Sequence, residues 1–318
     1  MRQQQGIALI TILMMVALAT IIAATIAKRQ SFTTENTAYV MRQNQGLLYA
    51  KSAEAFYQEL LAEDAESSSK SDNLQETWAQ PLPPFPIEGG VVSGTIEDES
   101  GKFNLNSLLQ ADGSPNLVAQ AYFEALLKRV GLPAELSQPV IDWQDADDLP
   151  IGAMGAESSY YQGLRQPYLS ANSPFHSKEE LKQVRGFEGD HYQRIAPYVT
   201  AIPDISTKIN INTAPALVLA VLDEKLDVGS VQSALDVRKA NMENFSNVNE
   251  LWQVAPFNQV SEENKKKYAD LLDVKSTLFK INVLVTYQDR KRQFTSYLMR
   301  EDKQVYIYSR SLATFAVN

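Results

Sequence analysis

Five carboxylates in one short stretch are the residues of this chain best suited to chemistry. They fall within 16 positions, at Asp142, Asp145, Asp147, Asp148 and Glu157. Hard cations such as calcium take six to eight oxygen ligands, and an extended loop with alternate aspartates supplies them. The spacing is not that of an EF-hand, because the sixth position counted from Asp145 is Pro150 rather than glycine. The pattern predicts either a calcium ion with a structural role or a solvated acidic loop.

Catalytic chemistry has little support in the sequence. The chain has no cysteine and two histidines, and it lacks the Gly-x-Ser-x-Gly, His-Glu-x-x-His and Walker motifs. We expect His176 to be a loop or cap residue and His191 a partly exposed helix residue. The prediction is therefore a protein that is not an enzyme. A membrane-anchored periplasmic hydrolase is the alternative, because the sequence cannot show which acidic residues face each other.

The charge of the sequence argues against a nucleic-acid partner. Two segments have the pattern of helix-hairpin-helix elements, which bind DNA backbone in other proteins. Here the turn at residues 186–190 carries Glu188 and Asp190 where phosphate would lie, and the net charge of the chain is -9. Both features oppose an anionic ligand. We expect these segments to be helical packing units.

The element at the N-terminus is an uncharged run. Residues 7–27 contain no charged side chain, and about 20 helical residues cross a hydrocarbon core of about 30 Å. Three threonines inside the run, at Thr11, Thr20 and Thr25, can bond back to carbonyls of their own helix. A cleaved secretory signal is the alternative, with weak support from Ala23 and Ala24.

The helix is predicted to continue beyond the membrane. Apolar residues recur at helical spacing as far as Leu61, with Gly46 the first glycine or proline after the run. Residues 63–76 are expected to be a polar linker, after which the prolines at 81–86 exclude helix. Residues 91–96 and 102–106 are predicted strands, and residues 279–287, 293–300 and 304–310 are predicted to form an antiparallel meander.

Helical signals dominate the stretch between these two strand regions. Residues 116–130 are amphipathic and end at Gly131, and Ser177 begins a capping box with Glu180. The economical arrangement is an α+β fold in which a long N-terminal helix packs on a small antiparallel sheet. Residues 28–106 hold the stem helix and the first strands, and residues 276–318 hold the closing strands. A large all-α domain, residues 107–275, is inserted between these two parts. Three separate domains in series would leave an isolated two-stranded hairpin at 91–106, which would be only marginally stable on its own.

The start of the chain resembles type IV prepilins and pseudopilins. The basic leader, residues 1–6, ends in Gly6, and the uncharged helix follows at once. The resemblance implies that prepilin peptidase cuts between Gly6 and Ile7 and that the new amine of Ile7 is methylated. Most relatives carry glutamate at the fifth mature position, which here is Thr11. That carboxylate pairs with the amine of a neighbouring subunit, so a chain without it needs no neighbour above it.

Thr11 and the large insert together resemble the K family of minor pseudopilins of the type II secretion system. Further matching segments are residues 142–147, 155–157, 160–161, 184–187, 197–200 and 209–215. This resemblance implies calcium in the helical domain, with Asp145, Asp147 and Glu157 the first candidates as ligands. Asp142 is a weaker candidate that could cap a turn instead.

The same resemblance implies a function at the tip of a secretion pseudopilus. The expected partners are other minor pseudopilins of the I and J types, the peptidase, the inner membrane, and secreted substrates or the outer-membrane secretin. The expected location is the inner membrane, crossed once, with the N-terminus in the cytoplasm and the bulk in the periplasm. The alternative is a minor pilin or adhesive tip of a type IV pilus.

Overall fold

A single helix, α1 (Gln4–Glu66), begins the protein. The computed structural model describes residues 4–66, 70–288 and 290–313. Side chains of residues 7–37 are all exposed, whereas further along the helix Ala50, Tyr57 and Leu61 are buried. The hydroxyls of Thr20 and Thr25 donate to carbonyls four residues earlier, at 2.7 and 2.8 Å. The predicted unbroken helix is confirmed, and Gly46 does not interrupt it.

Five strands form one antiparallel sheet beside the C-terminal half of α1, which is called its upper half below. The strands are β1 (Phe85–Ile87), β2 (Gly90–Asp98), β7 (Leu278–Tyr287), β8 (Arg290–Glu301) and β9 (Gln304–Ala313). Their order in the sheet is β1-β2-β7-β8-β9, so β2 and β7 are neighbours although the whole helical region lies between them in sequence. The register pairs Ile96 with Ile281 and Val283 with Phe294. The predicted C-terminal meander is therefore confirmed.

The upper half of α1 is held on the sheet by an apolar core and one ion pair. Inward-facing residues of β7 and β8 pack against Tyr57 and Leu61. Glu54, which is almost fully buried, accepts hydrogen bonds from the Arg310 guanidinium at 2.7–3.1 Å and from the Ser296 hydroxyl. Because a buried carboxylate is stable only with such partners, this pair fixes the position of α1 on β8 and β9.

The helical domain joins β2 to β7 and has its own core. Its core includes Phe103, Tyr122, Phe123, Leu219 and Phe257. The α-helices are α2 (Leu117–Arg129), α3 (Ser137–Asp142), α4 (Ser158–Gln162), α5 (Asp190–Ile195), α6 (Ala216–Ala220), α7 (Val228–Ala240), α8 (Val248–Leu251) and α9 (Glu262–Tyr268). Two short parallel pairs support them: β3 (Phe103–Asn104) with β4 (Val199–Thr200), and β5 (Ile209–Asn210) with β6 (Leu272–Asp273).

The predicted helix boundaries are reproduced by side-chain caps. The Asn116 side chain accepts from the backbone N–H groups of Val118 and Ala119 at the start of α2. The capping box of Ser177 and Glu180 is present, but the segment it opens, Lys178–Gln183, is a 3-10 helix. His176 is exposed at this cap, and His191 lies partly exposed in α5 with Nδ1 2.7 Å from the Gly186 carbonyl oxygen.

Two expectations about the first half of the chain are wrong. The predicted strand 102–106 does not pair with β2, because Phe103 and Asn104 pair with Val199 and Thr200 inside the helical domain. The expected polar linker is partly buried: Asp72 is 1% exposed and is bound by Arg300 at 2.5 Å. The charge of Arg300 compensates the buried carboxylate, and Asp72 also bonds to the backbone of Val274 and Ser276 just before β7.

Candidate metal site and anchor helix

Three of the predicted acidic residues converge in the helical domain. Asp142 is the last residue of α3, Asp145 lies three residues beyond it, and Glu157 immediately precedes α4. One carboxylate oxygen from each residue lies within 4.8 Å of the other two. All three residues are buried, with 0%, 8% and 2% of their surface exposed. The end of α3 and the start of α4 therefore bring the two ends of the acidic segment together.

Asp142 holds the intervening loop in place. Its carboxylate accepts from the N–H of Ala156 at 2.6 Å and from that of Ile151 at 3.1 Å. A Cβ atom at position 155 would lie 2.5 Å from Asp142 Oδ2, so Gly155 is needed for this approach. Burial raises the pKa of Asp142 to about 6 in spite of these two hydrogen bonds. Asp142 thus does cap the loop, as the sequence suggested, and it also belongs to the cluster.

Asp145 and Glu157 have buried oxygens that the described part of the chain leaves without partners. Asp145 Oδ1 and both Glu157 carboxylate oxygens accept no hydrogen bond there. Burial raises the pKa of Asp145 to about 6. Burial, followed by the nearby Asp142 and Asp145 carboxylates, raises the pKa of Glu157 to about 8. Buried anionic oxygens without donors are costly, and a cation would compensate them.

Asp147 and Asp148 lie outside this group of three. Both are exposed, and Asp147 Oδ1 accepts from the Leu149 N–H at 2.7 Å. The Asp147 carboxylate is still near enough to raise the pKa of Asp142, Asp145 and Glu157. Its role as a ligand stays a prediction. The oxygen-only donor set of Asp142, Asp145 and Glu157 fits a hard cation such as calcium.

The structure also reveals a second acidic cluster that sequence reasoning missed. Asp64 at the end of α1, Asp72 and Glu76 approach one another as closely as the first three do. Here the charge is compensated by the protein, because Arg300 contacts Asp64 at 3.0 Å and Asp72 at 2.5 Å. The only signal in the sequence was the acidic character of the expected linker. This cluster joins α1 to β8 and is already supplied with a cation.

The predicted processing and assembly residues all lie at the start of α1. Gly6 and Ile7 are consecutive helical residues, and the Ile7 side chain is 69% exposed. The Thr11 hydroxyl donates to the Ile7 carbonyl at 2.5 Å. Its hydrogen bond is thus made within the helix, and Thr11 can lie in an apolar phase without a partner from another chain.

These features define a class of protein. The helix is long and apolar enough to cross a membrane, and the residues of its apolar segment are exposed. Its upper half packs on a small antiparallel sheet, as in type IV pilin-like proteins. In this chain a helical domain interrupts that fold between β2 and β7.

Comparisons with known proteins identify the family within this class. A family model described as type II secretion system (T2SS), protein K, matches residues 101–204, and a second with the same description matches residues 209–275. Together they cover more than half of the chain. Type II secretion system protein K of Aeromonas hydrophila is 31% identical over 94% of each chain. That of Pseudomonas aeruginosa is 36% identical over 74% of this chain and 73% of its own. The chain belongs to the type II secretion system protein K family and is a minor pseudopilin.

A solved structure confirms the predicted fold class. A chain in the crystal structure of the GspK-GspI-GspJ complex from the enterotoxigenic Escherichia coli type 2 secretion system superposes with a TM-score of 0.78. The match covers 88% of this chain and 100% of that chain, at 24% sequence identity. Family membership sets aside the type IV pilus subunit that the sequence left open.

Proposed function

We propose that this minor pseudopilin is a non-enzymatic subunit at the tip of the type II secretion pseudopilus. It initiates or caps the fibre through α1 together with minor pseudopilins of the I and J types. In this way it supports protein export across the outer membrane. The GspI and GspJ chains that accompany GspK in the similar structure support this choice of partners.

The observation that carries the proposal is that the Thr11 hydroxyl forms its hydrogen bond within its own helix. A glutamate at this position would need a cationic partner within the apolar phase, because an unpaired carboxylate there costs about 3 kcal/mol. The Thr11 hydroxyl instead bonds to the Ile7 carbonyl of its own helix at 2.5 Å. A subunit with this residue is stable with no subunit above it, which is the position that a tip subunit occupies.

The head of the protein, meaning the sheet together with the helical domain, is large, and its size supports the same position. The helical domain fills the connection between β2 and β7, residues 99–277, and adds a second core to that of the stem and sheet. A head of this breadth, repeated along a fibre, would collide with its neighbours. A single copy at the end of the fibre avoids the collision.

Maturation and location follow the same proposal. Prepilin peptidase removes residues 1–6 after Gly6, and the new amine of Ile7 is methylated. Residues 7–27 cross the inner membrane once, with the N-terminus in the cytoplasm and the remaining domains in the periplasm. At the outer end of the fibre, the head is placed to meet secreted substrates or the secretin.

Calcium is proposed as a structural ion of the helical domain. Asp142, Asp145 and Glu157 would hold it, with Asp147 at the edge of the site. The ion supplies positive charge to carboxylates that otherwise repel one another. The buried oxygens of Asp145 and Glu157 that have no donor support this assignment.

The tip position is tested by locating the protein in assembled fibres. An epitope at exposed Met242, in the helical domain, is labelled with gold in cells that form long pseudopili. We expect one label at one end of each fibre. A label at repeated intervals along the shaft would contradict the proposal. An epitope-tagged major pseudopilin, labelled along the whole fibre, serves as the control.

A further inference from the structure

A basic turn joins β7 to β8 at the end of the sheet nearest the apolar segment of α1. Arg290, Lys291 and Arg292 are consecutive in sequence, and Asp289 is the one acid directly before them. Arg290 and Lys291 are exposed. The net charge of the whole chain is -9, so positive charge is concentrated at this turn against the trend of the molecule.

Three arginines line one small cavity where the turn meets α1. Arg42 of α1 and Arg290 and Arg292 of β8 surround about 20 Å³, with Tyr39 and Tyr287 also in the lining. Among the residues that the structure describes, no carboxylate belongs to this lining. Arg42 Nε is buried and has no hydrogen-bond acceptor in the described part of the chain. Guanidinium groups gathered in this way favour an anion with several acceptor oxygens, such as a phosphate lying at the mouth of the cavity.

The length of α1 places this cavity close to the membrane surface. The uncharged run ends at residue 27, and Tyr39 lies 12 residues further on, which is roughly 18 Å along the helix. The Arg290 guanidinium lies over the Tyr39 ring, 5.0 Å from its centroid. Lipid headgroups extend about 5–8 Å beyond the hydrocarbon core. In an upright helix the remaining gap of roughly 10 Å is close to the Debye length of about 8 Å, so the arginines experience the potential of the headgroups.

A tilt of α1 toward the turn closes this gap. Membrane helices are tilted by about 20° on average, and the turn lies to one side of the helix axis, where a tilt lowers it toward the bilayer. Anionic lipids attract basic segments near the surface. Tyr39 and Tyr287, at the same level as the arginines, are side chains suited to the interface between lipid and water. A phospholipid headgroup is therefore the phosphate that the anchored protein always has beneath this cavity.

We infer that Arg42, Arg290, Lys291 and Arg292 bind the headgroup phosphates of anionic phospholipids on the membrane face from which the head projects. The inference rests on the proposed location of residues 7–27 in the membrane and adds a second point of attachment. An anchor of one helix leaves the head free to rotate and tilt. Contact at the basic turn, away from the helix axis, fixes both motions and holds the unassembled subunit in one orientation.

Full-length protein in lipid vesicles tests the inference, and the absence of cysteine from the chain allows single labels. Gln288→Cys introduces a fluorophore at an exposed position of the turn, and lipids with a nitroxide on the headgroup quench it when they are close. We expect quenching to be about twofold stronger with about 30% phosphatidylglycerol than in phosphatidylcholine alone, because only the former surface is negative. Salt at about 1 M should remove the difference, since the Debye length falls to about 3 Å.

Neutral variants separate the basic turn from charge in general. Arg290→Gln with Lys291→Gln should lower quenching in the anionic vesicles to the level found in phosphatidylcholine. The matched control, Lys239→Gln with Lys303→Gln, removes the same charge from two exposed residues outside the turn and should keep the full difference. Equal quenching in the two lipid mixtures, or a difference that survives in Arg290→Gln with Lys291→Gln, would overturn the inference and leave the proposed function intact.

A second label distinguishes failure of the inference from failure of the proposed location. Gln30→Cys, just beyond the uncharged run, should be quenched in both lipid mixtures. A label at position 30 that is not quenched would show that residues 7–27 do not cross the bilayer, and the proposed location would fail together with the inference. In intact cells, benzoylphenylalanine in place of Lys291 should crosslink to lipid. Crosslinks from this position to an acidic protein instead would overturn the inference alone.

Discussion

Thr11 is the residue at which this chain departs from the pattern of type IV pilin-like proteins. Its hydroxyl needs no partner beyond the Ile7 carbonyl. In the proposed tip position, Thr11→Glu would introduce a carboxylate with no amine above it, at a cost of about 3 kcal/mol in the apolar phase. Because the other residues of the run still drive insertion, we expect secretion of a reporter protein to fall by less than roughly threefold. Thr11→Ala, which removes the hydroxyl without adding charge, is the control.

Two outcomes would contradict this prediction about Thr11. Increased secretion by Thr11→Glu would mean that a cationic partner is present above this subunit. A complete loss, with Thr11→Ala unaffected, would mean that the position excludes charge altogether. Measurement of exported enzyme in culture medium, normalised to the membrane content of each variant, separates these cases.

The carboxylates of Asp145 and Glu157 predict that stability depends on calcium. An ion that binds only the folded state stabilises it by about 2.7 kcal/mol at 100 times its Kd. This corresponds to a rise in Tm of roughly 5–10 °C for a domain of this size. We expect a chelator to remove that rise in the parent protein and to have no effect on the double variant Asp145→Asn with Glu157→Gln. Differential scanning calorimetry in calcium and in chelator provides the measurement.

Exposed Asp148 offers a matched control for the calcium experiment. It belongs to the same acidic segment but lies outside the group of three buried carboxylates. Asp148→Asn should therefore keep the full response to calcium. A parent protein whose Tm is the same in calcium and in chelator would refute the metal site.

At the level of elements, Asp98 joins the sheet to the helical domain. It is the last residue of β2, and its carboxylate accepts from Ser276 and Thr213 hydroxyls at 2.5 Å and from the Ser100 N–H at 2.7 Å. Asn210 approaches the same carboxylate at 3.4 Å. Both chain crossings between the sheet and the helical domain thus meet at one buried group, near the ion pair of Asp72 and Arg300.

Burial raises the pKa of Asp98 to about 6, against hydrogen bonds from Ser276 and Thr213 that lower it, while the Asp72 carboxylate adds to the rise. Since the folded-state pKa lies above the unfolded value, the folded protein holds this proton more firmly. The resulting stability is present below about pH 4 and is lost as the pH rises through 6. A difference of two pKa units corresponds to roughly 3 kcal/mol.

Asp98→Asn removes this titration and tests the pH dependence. We expect the free energy of unfolding of the parent to fall, relative to the variant, by roughly 3 kcal/mol between pH 4 and pH 8. Urea unfolding in detergent is followed by tryptophan fluorescence, which reports on both cores because Trp78 is buried in one and Trp143 in the other. Parallel pH profiles for parent and variant would show that Asp98 does not titrate in this range.

The elements also show how far sequence reasoning reaches. Periodicity and caps predicted α1, α2 and the β7–β9 meander, because each depends on local patterns. The partner of Phe103 and Asn104 could not be predicted, since the parallel strand β4 lies about 95 residues away. Likewise, Asp72 looked like a linker residue because its compensating cation, Arg300, is contributed by β8.

The candidate site shows the same division between local and distant information. The acidic stretch was evident from composition, and Asp142 was expected to cap a turn. Which carboxylates meet depends on where α3 ends and α4 begins, and these helices are five or six residues long with weak sequence signals. Asp147 and Glu157 therefore looked equally suitable, although only Glu157 is buried with Asp142 and Asp145.

At the scale of the whole molecule, one helix links the membrane, the sheet and, through β2 and β7, the helical domain. Among the residues that the structure describes, the side chains of residues 7–37 are all exposed. The head and the anchor can therefore be disturbed separately, which allows a variant of the anchor to be tested while the head stays folded.

Gly6→Ala is the change that uses this separation. If residues 1–6 are the leader, as proposed, a side chain at position 6 should block the peptidase, so the leader would stay attached and the charged Arg2 would remain at the end of the helix. We expect an unprocessed chain in membranes, at least tenfold less reporter in the medium, and an unchanged Tm of the head. Gly46→Ala is the matched control, because a Cβ there meets nothing within 4 Å. Normal processing and secretion in Gly6→Ala would refute the assigned junction, whereas processing without secretion would place the defect in fibre assembly.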